Sequence, residues 1–112
     1  MKYFEEEEFL MDGVIVFDKM DTNLLKDLDV LRGLVNEPLR LTSSYRDEEK
    51  NNAVGGSQRS QHLKGKAVDI SCNNGTLRAN IVKHALSIGL TCGVAKTFVH
   101  VDNRSNQVVF SY

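Results

Sequence analysis

The sequence predicts an α+β fold: an antiparallel β-sheet with helices packed on one face and a polar site on the other, open face. Three observations carry this. Two segments repeat apolar residues at helical spacing, around Leu24–Val35 and Leu77–Ile88. Several short alternating segments lie between and after them. Within those strands, histidine and aspartate fall on the face opposite the apolar residues.

The chain has 112 residues, room for one small domain spanning 1–112. Hydrophobic residues make up 41% and charged residues 26%, as in ordinary globular folds. The formal net charge is -1, and a phosphate-tracking surface needs a basic excess, so nucleic acid is not the expected partner. No apolar run approaches the roughly 20 residues that cross a bilayer, so no membrane insertion is expected. The start, "MKYFEEEEFL", is acidic where an export signal is basic and then apolar, which predicts synthesis in the cytoplasm without a signal peptide. Cys72 and Cys92 follow no thiolate metal spacing and read as buried free thiols.

Taken in order, Glu5–Glu8 suits the first turns of a short helix. Leu24, Leu28, Leu31 and Val35 form one apolar helix face, with Asp21 or Thr22 as cap and Pro38 beyond the end. "LRLTSSY", Leu39 to Tyr45, alternates as a strand running into a polar loop. "RDEEKNNAVGG" reads as a helical turn closed by Gly55 and Gly56. In "KAVDISC", Val68, Ile70 and Cys72 point toward the core, while Ala67, Asp69 and Ser71 point away. After the turn "NNGT", Leu77, Ile81, Ala85 and Ile88 mark a second amphipathic helix stopped by Gly89. "LTCGVA", "TFVHVD" and "QVVFSY" read as a β-meander with "NRSN" as its last turn. In the middle strand Phe98, His100 and Asp102 share one face.

Of three histidines, His84 sits on a helix at the edge of its apolar stripe and reads as a partly exposed structural residue. His62 and His100 each sit in a polar neighbourhood beside a strand and are followed by Asp69 and Asp102. Imidazole and carboxylate are good Zn²⁺ ligands, and a catalytic zinc takes three protein ligands with a fourth position for water. His62, Asp69 and His100 would supply that set; such a site lowers the pKa of bound water to about 7 and polarises a carbonyl. Spacing alone leaves a metal site and ordinary polar histidines both open.

The stretch "SSYRDEEKNNAVGGSQRSQHLKGKAVDI" with a later "FVHVD" resembles the D-Ala-D-Ala carboxypeptidase family of zinc peptidases, which shares its fold with the hedgehog signalling domain. The pattern is carried by Ser43 or Ser44, Tyr45, Arg46, Asn52, Gly55, Gly56, Ser60, His62, Gly65, Ala67, Asp69 and His100, from Leu39 to Asp102. The resemblance implies one Zn²⁺ ion on His62, Asp69 and His100. It implies that Arg46 faces the substrate, where a guanidinium binds a carboxylate or stabilises an oxyanion. The alternative for Arg46 is a surface salt bridge to Asp47, Glu48 or Glu49. Gly65 and Ala67 are small enough to let the chain pass close beneath the metal, and Ser60 and Gln61 are placed to hydrogen-bond the site or the substrate.

One departure stands out. Many family members carry Glu or Asp three residues before the last histidine ligand, as general base; here that position is Thr97. Asp102 is the nearest carboxylate. It is either the base or the group that orients His100.

The resemblance thus implies hydrolysis of amide bonds in peptidoglycan stem peptides, by a carboxypeptidase or an endopeptidase cut, with Arg46 as a catalytic residue; Asp102, as the nearest carboxylate, is the candidate to assist. It also implies a phage context, with action on the cell wall after lysis or within a phage particle, as a monomer or as part of a virion. The rival is a zinc-retaining, non-catalytic wall-binding or virion assembly module, kept alive by Thr97. A metal-free structural domain is a third reading, opposed by the polar Arg46, His62 and Asp69 cluster.

Overall fold

The computed structural model describes residues 1–112. A single 3-10 turn, Glu6–Glu8, opens the chain, and the Glu8 carboxylate accepts the Glu5 backbone N–H. Strands β1 (Leu10–Met11) and β2 (Val14–Ile15) then form a small hairpin. Its turn is Asp12-Gly13, both at positive φ (49° and 82°). Asp-Gly is the pair that a two-residue turn of this kind selects.

Helix α1 (Thr22–Val35) starts where the Asp21 carboxylate accepts the Leu24 N–H. It ends at Asn36 in the left-handed region (φ 59°). Leu24, Leu28, Leu31 and Val35 are its buried face, as the spacing predicted. Leu28 and Leu31 are fully buried, and each contributes about 1.5–3 kcal/mol by leaving water.

Next come β3 (Leu41–Ser43), helix α2 (Glu48–Ala53), a 3-10 turn at Gln61–Lys64 and β4 (Ala67–Ser71). Helix α3 (Gly75–Ser87), β5 (Thr91–Val94), β6 (Phe98–Asp102) and β7 (Val109–Ser111) complete the chain. The large sheet has the order β3-β4-β6-β5-β7. Neighbours are antiparallel from β3 through β5. Val68, Ile70, Val99 and Val101 turn one face of the sheet into the core. There they meet Leu24, Leu28 and Leu31 of α1 and Ile81 and Ala85 of α3. The fold is therefore α+β, with its two long helices on the apolar face.

Three expectations need correction. First, the last three strands are not a meander. β7 skips β6 and lies parallel to β5, pairing Gly93 with Phe110. The would-be turn is taken up by Arg104, which folds back onto Asp102. The chain then passes the end of β5, where Val108 N–H donates to Thr91 Oγ1 and Gln107 Nε2 donates to the Leu90 carbonyl.

Second, the polar face is not open. His62, Asp69, His100 and Asp102 are 2%, 6%, 4% and 0% exposed. The 3-10 turn carrying His62 lies across this face, so both faces of β4 are covered. A charge-bearing strand face tolerates such burial only where its groups are paired.

Third, Gly65 does not pass beneath the His62–Asp69 centre. It sits at φ +66°, and a Cβ there would lie 2.1 Å from the Lys19 carbonyl oxygen. Its own carbonyl accepts the Asp21 N–H. Gly65 thus clamps the site loop to the start of α1. Ala67 does lie on the site side, directly opposite Asp102.

Candidate metal centre

Asp69 on β4 and His100 on β6 are directly opposed across an antiparallel pair. Side chains at such positions stand about 4.5–5.5 Å apart at Cβ, close enough to share a ligand. His62 reaches the same point from the 3-10 turn, which Ser60 initiates by accepting the His62 N–H on its Oγ. The ligating atoms of His62, Asp69 and His100 lie within 4.8 Å of one another. His62 Nε2 is 3.2 Å and His100 Nδ1 is 3.1 Å from the same oxygen, Asp69 Oδ1.

The far side of each ring fixes its proton. His62 Nδ1 lies 2.7 Å from the Ser44 carbonyl, which can only accept, so Nδ1 carries hydrogen. His100 Nε2 lies 2.7 Å from Asp102 Oδ2 and likewise donates. In the neutral rings, His62 Nε2 and His100 Nδ1 then present lone pairs to Asp69 Oδ1. Three acceptors converging on one point are satisfied by a positive centre among them, either a ring proton or a bound metal ion. A tetrahedral ion with bonds of about 2.0–2.1 Å to its ligands has edges of about 3.3–3.4 Å. The observed 3.1 and 3.2 Å separations are close to that. The donor set therefore fits Zn²⁺.

Without an ion, ring protons take that central place. Burial pushes the Asp69 carboxyl up, but hydrogen bonds from His100 and His62 outweigh it and hold the group well below its usual range. His100 is pulled down by burial, yet its bonds to Asp102 and Asp69 hold it above its ordinary value. Asp102 is held down at about 2: burial opposes this, and bonds from His100 and Arg104 prevail.

Asp102 has no oxygen to spare. Oδ1 accepts the Arg104 backbone N–H and Nε, and Oδ2 accepts Arg104 Nη2 and His100 Nε2. Its side chain is fully buried and does not line the cleft. Of the two roles open to Asp102, this geometry suits orientation of His100 and leaves no face for a water.

Arg46 does not pair with Asp47, Glu48 or Glu49. Asp47 is occupied as the cap of α2, accepting the Lys50 N–H. Arg46 instead turns inward. Nη2 meets Asp69 Oδ2 at 3.3 Å, Nε donates to Ser43 Oγ and Nη1 donates to Asn51 Oδ1. Its backbone N–H donates to the His62 carbonyl, tying the two site segments together. Asn51 is buried, whereas the expected Asn52 points outward into solvent. A Cβ on Gly56 would sit 2.1 Å from Asn51 Oδ1 and 3.2 Å from Arg46 Nη1, so this glycine makes room for the Arg46 support.

A cleft of about 620 Å³ opens over the centre. Its lining includes Arg46, Ser60, Gln61, His62, Asp69 and His100, with Phe98, Phe110 and Tyr112 beside His100. Asp69 is its single acidic side chain. Thr97 is exposed in the β5–β6 turn and absent from the lining. His84 is half-buried on α3 and absent from the lining. Cys72 and Cys92 are free and buried.

Ser44, Asn51, Arg104 and the β7 aromatics complete this site, and the sequence reading assigned none of them a role in it. Ser44 acts through a backbone carbonyl, which leaves no trace in residue type. Arg104 had a visible signal, a guanidinium two residues after Asp102.

No helix is long and apolar enough to cross a membrane. Compared with protein-family models, residues 2–102 match Peptidase M15. No curated protein matches the chain.

Proposed function

The chain belongs to the peptidase M15 family, and from that footing we propose that it is a zinc-dependent peptidase that hydrolyses amide bonds in peptidoglycan stem peptides. The observation that carries the reading is the convergence of His62 Nε2, Asp69 Oδ1 and His100 Nδ1, with both far ring nitrogens already committed as donors. Zn²⁺ bound there would supply Lewis acidity toward a scissile carbonyl and an acidified water.

The chain's own residues do the rest. Ser44 and Asp102 hold the two imidazoles in the tautomer that leaves their inner nitrogens free. Arg46 presents a guanidinium at the cleft floor, braced by Ser43 and Asn51. From there it binds a substrate carboxylate or stabilises the negative charge that grows on the carbonyl oxygen. Being braced beforehand, it needs little reorganisation as that charge develops. Ser60 and Gln61 line the cleft and are placed to hydrogen-bond the peptide backbone.

A second reading is favoured by one observation: no acidic side chain besides Asp69 lines the cleft. A general base must come within hydrogen-bond reach of the proton it takes. Lacking one, the chain would keep zinc and serve as a wall-binding or assembly module.

Digestion separates the two. Zinc-loaded protein is incubated with purified peptidoglycan and with defined muropeptides, and the products are resolved by chromatography. A peptidase releases new peptides with free amino groups, and Arg46→Ala abolishes them. Retention on peptidoglycan with no new product supports the binding module.

A further inference from the structure

Strand β7 lies beyond the residues matched to the family, yet it builds one wall of the cleft. In the β5–β7 pairing Gly93 faces Phe110. A Cβ on Gly93 would stand 2.5 Å from the Phe110 ring and 3.1 Å from Tyr112. Without that Cβ, the Phe110 ring lies across β5 and comes within 5.5 Å of the His100 ring. Arg104 lies over the same ring at 5.5 Å and braces it. Tyr112 packs against Phe98 and Phe110, with ring centroids 4.9 and 5.6 Å apart.

Tyr112 nonetheless stays 69% exposed at the rim. Across the cleft stands Val54, 50% exposed and also part of the lining. Three arginines also line the cleft: Arg104 is paired with Asp102 and Arg46 with Asp69, while Arg59 is exposed on the loop before Ser60. What the wall itself offers is aromatic surface, which gains most from an apolar group that leaves water between the two rims.

We propose that Phe110 and Tyr112, with Val54 opposite, are specificity-determining residues that receive an apolar side chain of the substrate beside the scissile amide. The proposal rests on the peptide-cleft reading above, and binding tests it apart from catalysis. The ligands are tetrapeptides in which each position in turn carries glycine, leucine or aspartate. Affinity for zinc-loaded protein is measured by calorimetry, and cleavage by chromatography.

At one position leucine should bind at least about tenfold tighter than glycine, with aspartate weakest, as an apolar pocket discriminates. In Tyr112→Ala and in Phe110→Leu the leucine-to-glycine ratio should fall toward one, while each variant retains zinc. Preference without cleavage would uphold the wall and sink the peptidase reading. Cleavage without preference would do the reverse. An equal loss for all three peptides in Tyr112→Ala would make the wall a structural brace and overturn the proposal. So would an absence of binding to any peptide.

Discussion

His100 donates its Nε2 hydrogen to Asp102 at 2.7 Å, while Arg104 closes the remaining oxygen of that carboxylate. Asp102 is therefore placed to hold the His100 ring in orientation. Groups in this position hold ligand orientation and basicity, and their loss typically lowers metal affinity about 10–100-fold. Asp102→Ala should weaken zinc binding by that factor in a chelator competition, and Arg104→Ala should act in the same direction but less. A variant with full zinc affinity and abolished turnover would instead identify Asp102 as the base.

Arg46 meets Asp69 at Oδ2 and leaves Oδ1, the oxygen that faces the two imidazoles, untouched, so its removal should leave the donor set in place. Arg46→Ala is expected to retain one zinc and lose about 10²–10³-fold in turnover, the range seen when a preorganised donor to a developing oxyanion is deleted. Arg46→Lys should not restore it, because a single ammonium cannot reach Ser43, Asn51 and Asp69 together as the planar fork does. Steady-state kinetics with metal analysis checks both.

Gly56 and Gly55 should separate packing from backbone conformation. Gly56→Ala drives a methyl into Asn51 and through it into Arg46. It should destabilise by about 1–3 kcal/mol and depress turnover as Arg46→Ala does. At Gly55 the φ is +72° and nothing lies within 4 Å of an added Cβ. Gly55→Ala should show only the left-handed penalty, about 1–2 kcal/mol. Denaturant melts and activity assays on the pair test the distinction.

The Cys92 thiol is pushed up to about 11, first by burial and then by the Asp102 charge. Only the thiolate reacts, so Cys92 should stay silent toward a disulfide reagent at pH 8. Cys72, buried in the same core, is shielded too. Both thiols should appear on unfolding. Rapid labelling of the native protein would contradict this burial.

Much of the site was legible because strand periodicity is local. Alternation in "KAVDISC" and "TFVHVD" places Asp69 and His100 on one face, and pairing then opposes them directly. The apolar spacing of α1 translates unchanged into the buried row Leu24, Leu28, Leu31 and Val35. What local pattern does not encode is the choice of partner. "NRSN" looks like a hairpin turn, but whether β7 joins β6 or β5 depends on Arg104 finding Asp102 and Gln107 finding Leu90. Likewise, Arg46 has three acidic neighbours in sequence and pairs with a carboxylate 23 residues away, because α2 uses Asp47 as its cap. The Asn51 and Asn52 exchange is a matter of helix phase: one residue along α2 turns a side chain by roughly 100°, from the Arg46 guanidinium into solvent.

Zinc titration of the metal-free protein is the most direct test of the centre on which this account depends. Calorimetry should give one site per chain, abolished in His62→Ala and in His100→Ala, with the fold retained by circular dichroism. Failure to bind zinc, or equal binding in the wild type and both variants, would contradict the assignment of His62, Asp69 and His100 as its ligands.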